Sequence, residues 1–337
     1  MLAVETVMTE LSNPATHHTY APSADWAAYR ARASMYQSIR QFFAQREVIE
    51  VETPLLSHAG VTDVHLASVS ASVQTDSGQA QTLYLHTSPE FAMKRLVAHF
   101  KQPMFQICKV FRDGELGRKH NIEFTMLEWY RPDWSLAALR AELTALLSTL
   151  WGEPLEPEVL SYRQAFLQRI DLDPMRATVS ELQAAAHRLG LTVRLGEDRL
   201  AWLDVLFSHF VEPTLGCDGP LYLTEFPAEM ASLARVVNDA DGFPVAARFE
   251  LYIEGLELAN AYDELANPEE QKQRFEGDNA LRLQQGLPVI PIDTRLLAAL
   301  GDFPVCAGIA VGLDRVLMAL SGKRRIDQVI GITTLMA

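Results

Sequence analysis

The stretch that decides the fold lies at residues 112–131 and reads RDGELGRKHNIEFTMLEWYR. Its charged, glycine-containing first half separates an apolar run at residues 104–111 from a second run at residues 122–130. Two such runs joined by a polar segment predict a pair of neighbouring strands. Every second side chain of the later strand shares one face. The residues on that face are Phe124, Met126, Glu128 and Tyr130.

A glutamate between a methionine and a tyrosine is unusual for an ordinary half-buried strand, because an unpaired buried carboxylate is costly. We therefore interpret Glu128 as the partner of a cationic ligand and Phe124 as a stacking surface for a flat ring. Arg112 is placed to bind a phosphate across the hairpin, since its planar guanidinium can contact two phosphate oxygens at once. The hairpin is thus predicted to hold a nucleotide and an amino acid on one face.

Composition limits the classes of function. The chain has 337 residues, a net charge of −14 and three scattered cysteines. Broad, sequence-independent nucleic-acid binding depends on a basic surface, so this charge argues against it. The cysteines have neither metal-ligand spacing nor a disulfide pattern. With no recognisable signal peptide and no apolar run of membrane-spanning length, we expect a cytoplasmic protein without a membrane partner.

The rest of the chain predicts an α+β fold in which helices flank an antiparallel sheet. The sequence contains neither GxGxxG nor GxxxxGK[ST], so the common dinucleotide and phosphate loops are not supported. Residues 1–22 are predicted to be a mobile tail, residues 23–337 a catalytic domain, and residues 136–215, approximately, a helical insertion. The predicted elements are a helix from Ser23 or Asp25 to Gln45, a helix starting at Ser88-Pro89-Glu90, a hairpin turning at Glu254-Gly255, and a strand at 305–311 followed by a helix that ends at Gly322.

Three segments resemble, in the same order, the three motifs of class II aminoacyl-tRNA synthetases. Motif 1 is matched within residues 42–54, motif 2 within residues 111–126, and motif 3 by GIAVGLDR at residues 308–315. The resemblance extends from about residue 25 to the C-terminus and is greatest to lysyl-tRNA synthetase. It implies the class II catalytic fold and a homodimer formed through motif 1.

The resemblance implies a nucleotide half of the site. Arg112 would hold the α-phosphate of ATP and Arg315 the γ-phosphate, at a helix N-terminus where anions are favoured. Glu250 and Glu257, on either side of the predicted hairpin turn, would hold Mg²⁺, an ion that prefers oxygen ligands. The remaining residues that would contact ATP are Glu115, His120, Asn121 and Phe124.

It also implies a substrate half with several carboxylates. Glu90 would face an amino group near the reacting carboxylate, while Glu128, Tyr130 and Glu264 would surround a distal ammonium. Several acidic groups could offset the desolvation of two cations, which favours a lysine-like substrate over an apolar one. The other residues assigned to this half are Ser88, Asn260, Ala310 and Gly312.

Two departures from lysyl-tRNA synthetase bear on the acceptor. The short segment before motif 1 leaves no room for an anticodon-binding domain, so we expect no tRNA partner. Ala310 stands where these synthetases have glycine, and its methyl group should disfavour an ordinary α-amino acid. Both features, with EWYRP at residues 128–132, resemble the family of free-standing paralogues that modify elongation factor P. That family activates (R)-β-lysine with ATP and transfers it to the ε-amino group of a lysine on the factor.

Two alternatives remain open from the sequence. A truncated lysyl-tRNA synthetase-like core could make lysyl-adenylate for another acceptor, or the chain could be a non-catalytic regulatory paralogue. The hypothesis of a regulatory paralogue is disfavoured, because a protein that no longer catalyses the reaction should have lost some of the residues that bind the nucleotide. That set is retained as Arg112, Phe124, Glu250, Glu257 and Arg315.

Overall fold

The structure is a computed structural model that describes residues 20–337. Most of the predicted tail, residues 1–22, therefore lies outside the described residues. The helices are α1 (Trp26–Ala44), α2 (Glu90–Phe100), α3 (Leu136–Trp151), α4 (Tyr162–Ile170), α5 (Val179–Arg188), α6 (Arg199–Leu206), α7 (Pro268–Gln284), α8 (Thr294–Leu300) and α9 (Leu313–Ser321). The strands are β1 (Ile49–Glu50), β2 (Leu56–Ser57), β3 (Ser70–Gln74), β4 (Ala80–Leu85), β5 (Met104–Phe111), β6 (Glu123–Pro132), β7 (Glu158–Ser161), β8 (Leu221–Pro227), β9 (Val236–Asn238), β10 (Pro244–Ile253), β11 (Leu256–Asp263) and β12 (Cys306–Gly312).

A large, mostly antiparallel sheet organises the described part of the chain. Its strand order is β1-β5-β6-β12-β11-β10-β8-β7, with β9 also paired to β10. The pairs β1–β5 and β7–β8 are parallel and the other pairs are antiparallel. A separate small sheet has the order β2-β4-β3. This arrangement confirms the predicted α+β fold with an antiparallel sheet flanked by helices.

The two faces of the large sheet have different environments because side chains alternate along each strand. On β6, Leu127 and Trp129 are fully buried in the main core, which also contains apolar residues of α1, α3 and α9. Their neighbours Met126, Glu128 and Tyr130 point to the opposite face. The predicted parity of the strand is thus correct, and it assigns one face to packing and the other to the site.

Local signals place the ends of several elements. The Asp25 side chain accepts a hydrogen bond from the Ala28 backbone and caps α1, as predicted. Glu254 and Gly255 have φ of 53° and 65°, which forms the predicted tight turn between β10 and β11. The start of α2 differs by one residue, since Pro89 rather than Ser88 is the cap residue. The Ser88 hydroxyl still accepts from the Glu90 backbone at 3.0 Å, but it also has a second partner within the site.

The range 136–215, predicted as a helical insertion, contains α3 to α6 and also the strand β7. The first of these helices packs into the main core through Leu139, Leu143 and neighbouring leucines. Helices α4 to α6 instead form a second core around Tyr162, Phe166 and Leu203, against the side of the sheet where β8 lies. The helical character is present in the structure, while the description of this range as an insertion stays a prediction. Within residues 20–337, none of the helices has the length and apolar character needed to cross a bilayer.

Candidate active site

A large cleft opens on the face of the sheet opposite the main core. Its volume is about 1310 Å³, larger than the roughly 300–1,000 Å³ of a typical small-molecule site, so it can hold more than one small ligand. Most of the residues predicted for the site line this cleft. They are Ser88, Glu90, Arg112, Glu115, His120, Asn121, Phe124, Glu250, Glu257, Asn260, Ala310, Gly312 and Arg315.

The register of the sheet arranges the site in rows that run across the strands. In one row Glu128 pairs with Ala310, Ala310 with Asn260, and Asn260 with Glu250. Since neighbouring strands lie about 4.8 Å apart, Glu128 and Glu250 are roughly 14 Å apart along this row. The row therefore joins the two predicted halves of the site and holds their carboxylates at opposite ends.

The β5–β6 hairpin forms one wall of the nucleotide half. The Arg112 guanidinium lies 5.1 Å from the ring centre of Phe124, on the facing strand. Its other partners are the Thr87 carbonyl, at 3.5 Å from Nε, and the Glu115 carboxylate, at 3.7 Å from Nη1. These weak contacts leave Arg112 able to exchange Glu115 for a phosphate, which is the role predicted for it.

Arg315 lies in the first turn of α9, as predicted. Its guanidinium donates to the Glu257 carbonyl at 2.9 Å, and Nη2 lies 2.6 Å from Nε2 of His120. Desolvation and the positive charge of Arg315 lower the pKa of His120, so the imidazole is neutral near pH 7 and can accept from Arg315. The two arginines therefore converge on the cleft from the two predicted motifs, each held by an acidic or neutral partner.

The start of α9 is fixed by its buried neighbour Asp314. That carboxylate accepts from the Thr125 backbone on β6 at 2.6 Å and from Arg32 on α1 at 2.5 Å. One side chain thus ties the helix that carries Arg315 to both the hairpin strand and the first helix. These contacts anchor the first turn of α9, on which Arg315 lies.

Asn121 has a structural set of contacts. Its side-chain amide donates to the Glu123 carbonyl at 2.6 Å and to the Thr334 hydroxyl at 3.1 Å, and its oxygen accepts from the Thr334 backbone. These bonds hold the end of the motif 2 loop against the C-terminal segment. Contact between Asn121 and a nucleotide stays a prediction.

Glu250 and Glu257 both line the cleft near the β10–β11 turn. Burial raises the pKa of Glu250 to about 7; Arg248 lowers it, while the charge of Glu257 raises it further. Within residues 20–337 there is no cluster of three or more His, Cys, Asp or Glu side chains that could hold a metal ion. Two carboxylates could supply only part of the oxygen ligands of Mg²⁺, which takes the others from water or phosphate. Binding of Mg²⁺ by this pair stays a prediction.

The predicted substrate half contains a network of carboxylates behind the cleft wall. Ser88 Oγ donates to Glu128 Oε2 at 2.6 Å, and the Tyr130 hydroxyl donates to Glu128 Oε1 at 2.7 Å. Glu128 and Glu264 are each only 2% exposed. These residues and Tyr130 lie immediately behind Ser88 and Glu90, which form the cleft wall. Their direct contact with a substrate ammonium stays a prediction.

The structure adds a cation that was not predicted in this half. Lys94, on α2, is 1% exposed and its Nζ lies 2.6 Å from both Glu90 Oε1 and Glu264 Oε2. Burial alone would lower the pKa of Lys94, but Glu264 and Glu90 raise it above its ordinary value. Lys94 is therefore charged. It orients the carboxylates of Glu90 and Glu264, which were predicted to contact the substrate.

The buried carboxylates are not fully compensated by this lysine. Burial raises the pKa of Glu128 to about 8, with a further contribution from Glu90. Burial likewise raises the pKa of Glu264 to about 8, against the opposing effect of Lys94. With one lysine among three carboxylates, the ionised network has a formal charge of −2. Two substrate ammonium groups would neutralise it.

Glycine is required at one position of this network. A methyl group added to Gly308 would collide with Glu264 Oε1 and lie 2.5 Å from Cε1 of Tyr130. Two residues later, Ala310 reaches the cleft surface beside Glu128. The β12 strand therefore has no side chain at Gly308, beside the buried carboxylates, and a methyl group at Ala310, on the cleft surface.

Sequence reasoning missed Lys94, Gly308 and Arg248 as parts of the site. Arg248 is half-buried, donates from Nε to Asn260 at 3.0 Å and pairs with Glu250. Gly308 lies within the recognised motif 3, so its importance could have been inferred there. Lys94 gave no signal, because Glu90 and Lys94 have the (i, i+4) spacing of common exposed helix pairs.

Comparison with known proteins agrees with this geometry. Residues 21–333 match the family described as tRNA synthetases class II (D, K and N). The chain is 45% identical to the elongation factor P–(R)-β-lysine ligase of Salmonella typhi, over 94% of this chain and 97% of the relative. Proteins of the same name from Klebsiella pneumoniae strain 342 and Pectobacterium carotovorum are 45% and 44% identical, with the same coverage.

The predicted resemblance is confirmed by a family match that covers nearly all of the described residues, and the cleft contains the arginines, aromatic ring and carboxylates on which it rested. The chain belongs to the class II tRNA synthetase family of the D, K and N type.

Proposed function

We propose that this protein is an ATP-dependent ligase that activates (R)-β-lysine as an acyl-adenylate and transfers the acyl group to a lysine ε-amino group of elongation factor P. The observation that carries the proposal is the joining of two unlike halves in one cleft. Arg112 and Arg315 suit the phosphates of ATP, whereas the network around Glu128 has three carboxylates and one lysine, a set suited to a diamino acid. Relatives of that name, at 44–45% identity over nearly their whole length, support it.

The chemistry requires no nucleophile from the protein. A carboxylate oxygen of the amino acid attacks the α-phosphorus of ATP, a new P–O bond forms, and the bond to pyrophosphate breaks. The acceptor amine then attacks the acyl carbon, AMP leaves with the C–O electron pair, and the amine loses a proton. Arg112 and Arg315 contribute by positioning the phosphates and stabilising their charge.

Glu250 and Glu257 would hold Mg²⁺ in this proposal. Bound there, the ion would neutralise charge on the phosphate oxygens. The raised pKa of Glu250 supports this assignment, because a buried carboxylate next to a second one is stabilised by an added cation. Arg248 holds Glu250 in place through a charged contact while leaving Glu257 more exposed to the cleft.

The acceptor is tested by incubating the protein with ATP, (R)-β-lysine and elongation factor P and measuring the intact mass of the factor. We expect a gain of one lysyl residue on a single lysine, and no gain when that lysine is replaced by arginine. Adenylate formation without any gain in mass would instead favour the truncated-core alternative, with another acceptor. Because the proposed acceptor is a translation factor, we infer that the protein acts in the cytoplasm.

We also propose that two copies associate through α1 and β1, the elements of motif 1. Apolar side chains on these elements are exposed in the single chain, with Trp26 70% and Ile49 64% accessible. Removal of exposed apolar side chains from water favours association. Light scattering of the purified protein tests the proposal, and a stable monomer that retains full activity would contradict it.

A further inference from the structure

One buried side chain on the cleft wall has no hydrogen-bond partner. Gln271, on α7, is 1% exposed, and neither its Oε1 nor its Nε2 has a partner within residues 20–337. Buried polar groups are nearly always hydrogen bonded, because an amide removed from water without a replacement partner is destabilising. An amide of this kind that lines a ligand cleft therefore indicates a contact completed by the ligand.

The position of Gln271 assigns it to the amino-acid half. It lines the cleft together with Phe91 and Phe275, whose rings are in contact at 5.7 Å between centres. Phe91 follows Glu90 on α2, and Phe275 lies one helical turn after Gln271 on α7. Residues four apart share a helix face, so Gln271 lies on the face of α7 that meets α2, and Glu90 of α2 lines the same cleft.

Helix α7 is held firmly at this point. Arg274 donates to the Ser232 and Ala234 carbonyls at 2.6 and 2.9 Å, and Asn267 caps the helix by accepting from the Glu269 and Glu270 backbones. A side chain on so well anchored a helix is already positioned before the ligand binds. Such positioning reduces the entropic cost of forming a hydrogen bond.

The chemistry of Gln271 complements the charged groups around it. An ionised carboxylate can only accept hydrogen bonds, and a lysine ammonium group can only donate them. An amide does both and adds no charge. It can therefore direct a substrate without changing the charge balance of the network.

We propose that Gln271 is a specificity-determining residue of the diamino acid site and that its Oε1 accepts a hydrogen bond from an ammonium group of the substrate. This proposal rests on the function proposed above. A neutral acceptor at Gln271 favours a substrate with an ammonium group that can contact both α7 and the carboxylate network. The contact thus selects the position of the amino group along the substrate in addition to its charge.

The test compares Gln271→Met, which keeps the length of the side chain and removes its polar atoms, with Gln273→Met on the exposed face of the same helix. ATP–pyrophosphate exchange gives KM for (R)-β-lysine and for ATP. For Gln271→Met we expect KM for the diamino acid to rise about tenfold, the effect of one lost hydrogen bond of about 1.4 kcal/mol, with KM for ATP unchanged. Gln273→Met should leave both values unchanged.

Thermal unfolding of the ligand-free variants separates this role from a structural one. If the amide has its partner only in the complex, Gln271→Met should be at least as stable as the parent protein, since an unsatisfied buried group has been removed. A loss of stability with an unchanged KM for the diamino acid would overturn the proposal. Gln271→Asn, which withdraws the amide by one methylene, provides a second variant with the same expected direction in KM.

Measurements on the parent protein distinguish failure of the proposed function from failure of the role proposed for Gln271. If the parent protein shows no exchange with any diamino acid, the proposed function fails. If the parent is active and both Gln271 variants keep its KM for (R)-β-lysine within twofold, only the assignment of Gln271 fails.

Discussion

Nζ of Lys94 lies 2.6 Å from Oε2 of Glu264, and each side chain is only 1% exposed. The same nitrogen is 2.6 Å from Glu90. The protein thus places one of its own cations inside the carboxylate network that is proposed to receive the substrate. With all three carboxylates ionised the network has a formal charge of −2, which suits two ammonium groups better than one.

Removing Lys94 should destabilise the fold. Lys94→Met leaves Glu264 buried without its partner, and breaking such a pair by removing one member costs about 3–5 kcal/mol. Urea unfolding measures the change. The double variant Lys94→Met/Glu264→Gln should recover part of the loss, because the uncompensated charge is then smaller. Lys272→Met is the matched control, since the Lys272–Glu276 pair is about half exposed and should change stability by less than about 0.5 kcal/mol. A similarly small effect for Lys94→Met would contradict this account.

The affinity for a diamino acid should increase with pH up to about pH 8. Glu128 and Glu264 each have a pKa of about 8 in the ligand-free protein. A substrate ammonium favours the ionised carboxylate, so binding below this pKa must release a proton. For one proton released, the dissociation constant should fall about tenfold per pH unit over this range. Calorimetry in buffers of different ionisation enthalpy counts the protons. The Glu128→Gln variant should release fewer protons when the substrate binds. An affinity that is constant from about pH 6 to pH 8 would rule out titration of this network.

Gly308→Ala should damage the substrate half. The new methyl group would collide with Glu264 and approach the Tyr130 ring, and such overpacking costs about 1–3 kcal/mol. We expect lower stability together with a higher KM for the diamino acid. Gly277 offers a matched control on α7, because a methyl group there meets nothing within 4 Å and should stabilise the helix slightly. Equal behaviour of the two variants would show that the close packing at Gly308 is unimportant.

Ala310→Gly should shift preference towards α-lysine. The Ala310 methyl group lies on the cleft surface beside Glu128, and one methyl group in a pocket changes discrimination by about 1–3 kcal/mol. The ratio of kcat/KM for α-lysine to that for (R)-β-lysine is therefore expected to rise about tenfold. Ala307→Gly, on the core-facing side of the same strand, should reduce stability without altering this ratio. An unchanged ratio for Ala310→Gly means that the methyl group does not select the substrate.

The sequence predicted those features that depend on local periodicity. The parity of β6 separates Leu127 from Glu128, and the turn at Glu254-Gly255 pairs Ile253 with Leu256. Both follow from residues close together in the chain. The predicted cap of α2 was wrong by one residue, and no local signal indicated that the Ser88 hydroxyl also donates to Glu128, forty positions away.

Other features depend on distant packing and left no local signal. Lys94 is buried only because Glu264, from the other end of the domain, meets it behind the cleft wall. The strand β7 joins the sheet beside β8, about sixty residues later, within a range whose composition is typical of helices. Gln271 is one of several polar residues on α7, and only its burial distinguishes it from Gln273.

The central claim is that the cleft activates a diamino acid, and ATP–pyrophosphate exchange tests it most directly. The amino acids to compare are (R)-β-lysine, α-lysine and leucine, which differ in the position or presence of the second ammonium group. The account predicts the fastest exchange with (R)-β-lysine, slower exchange with α-lysine, and none with leucine. Absence of exchange with both diamino acids would contradict it.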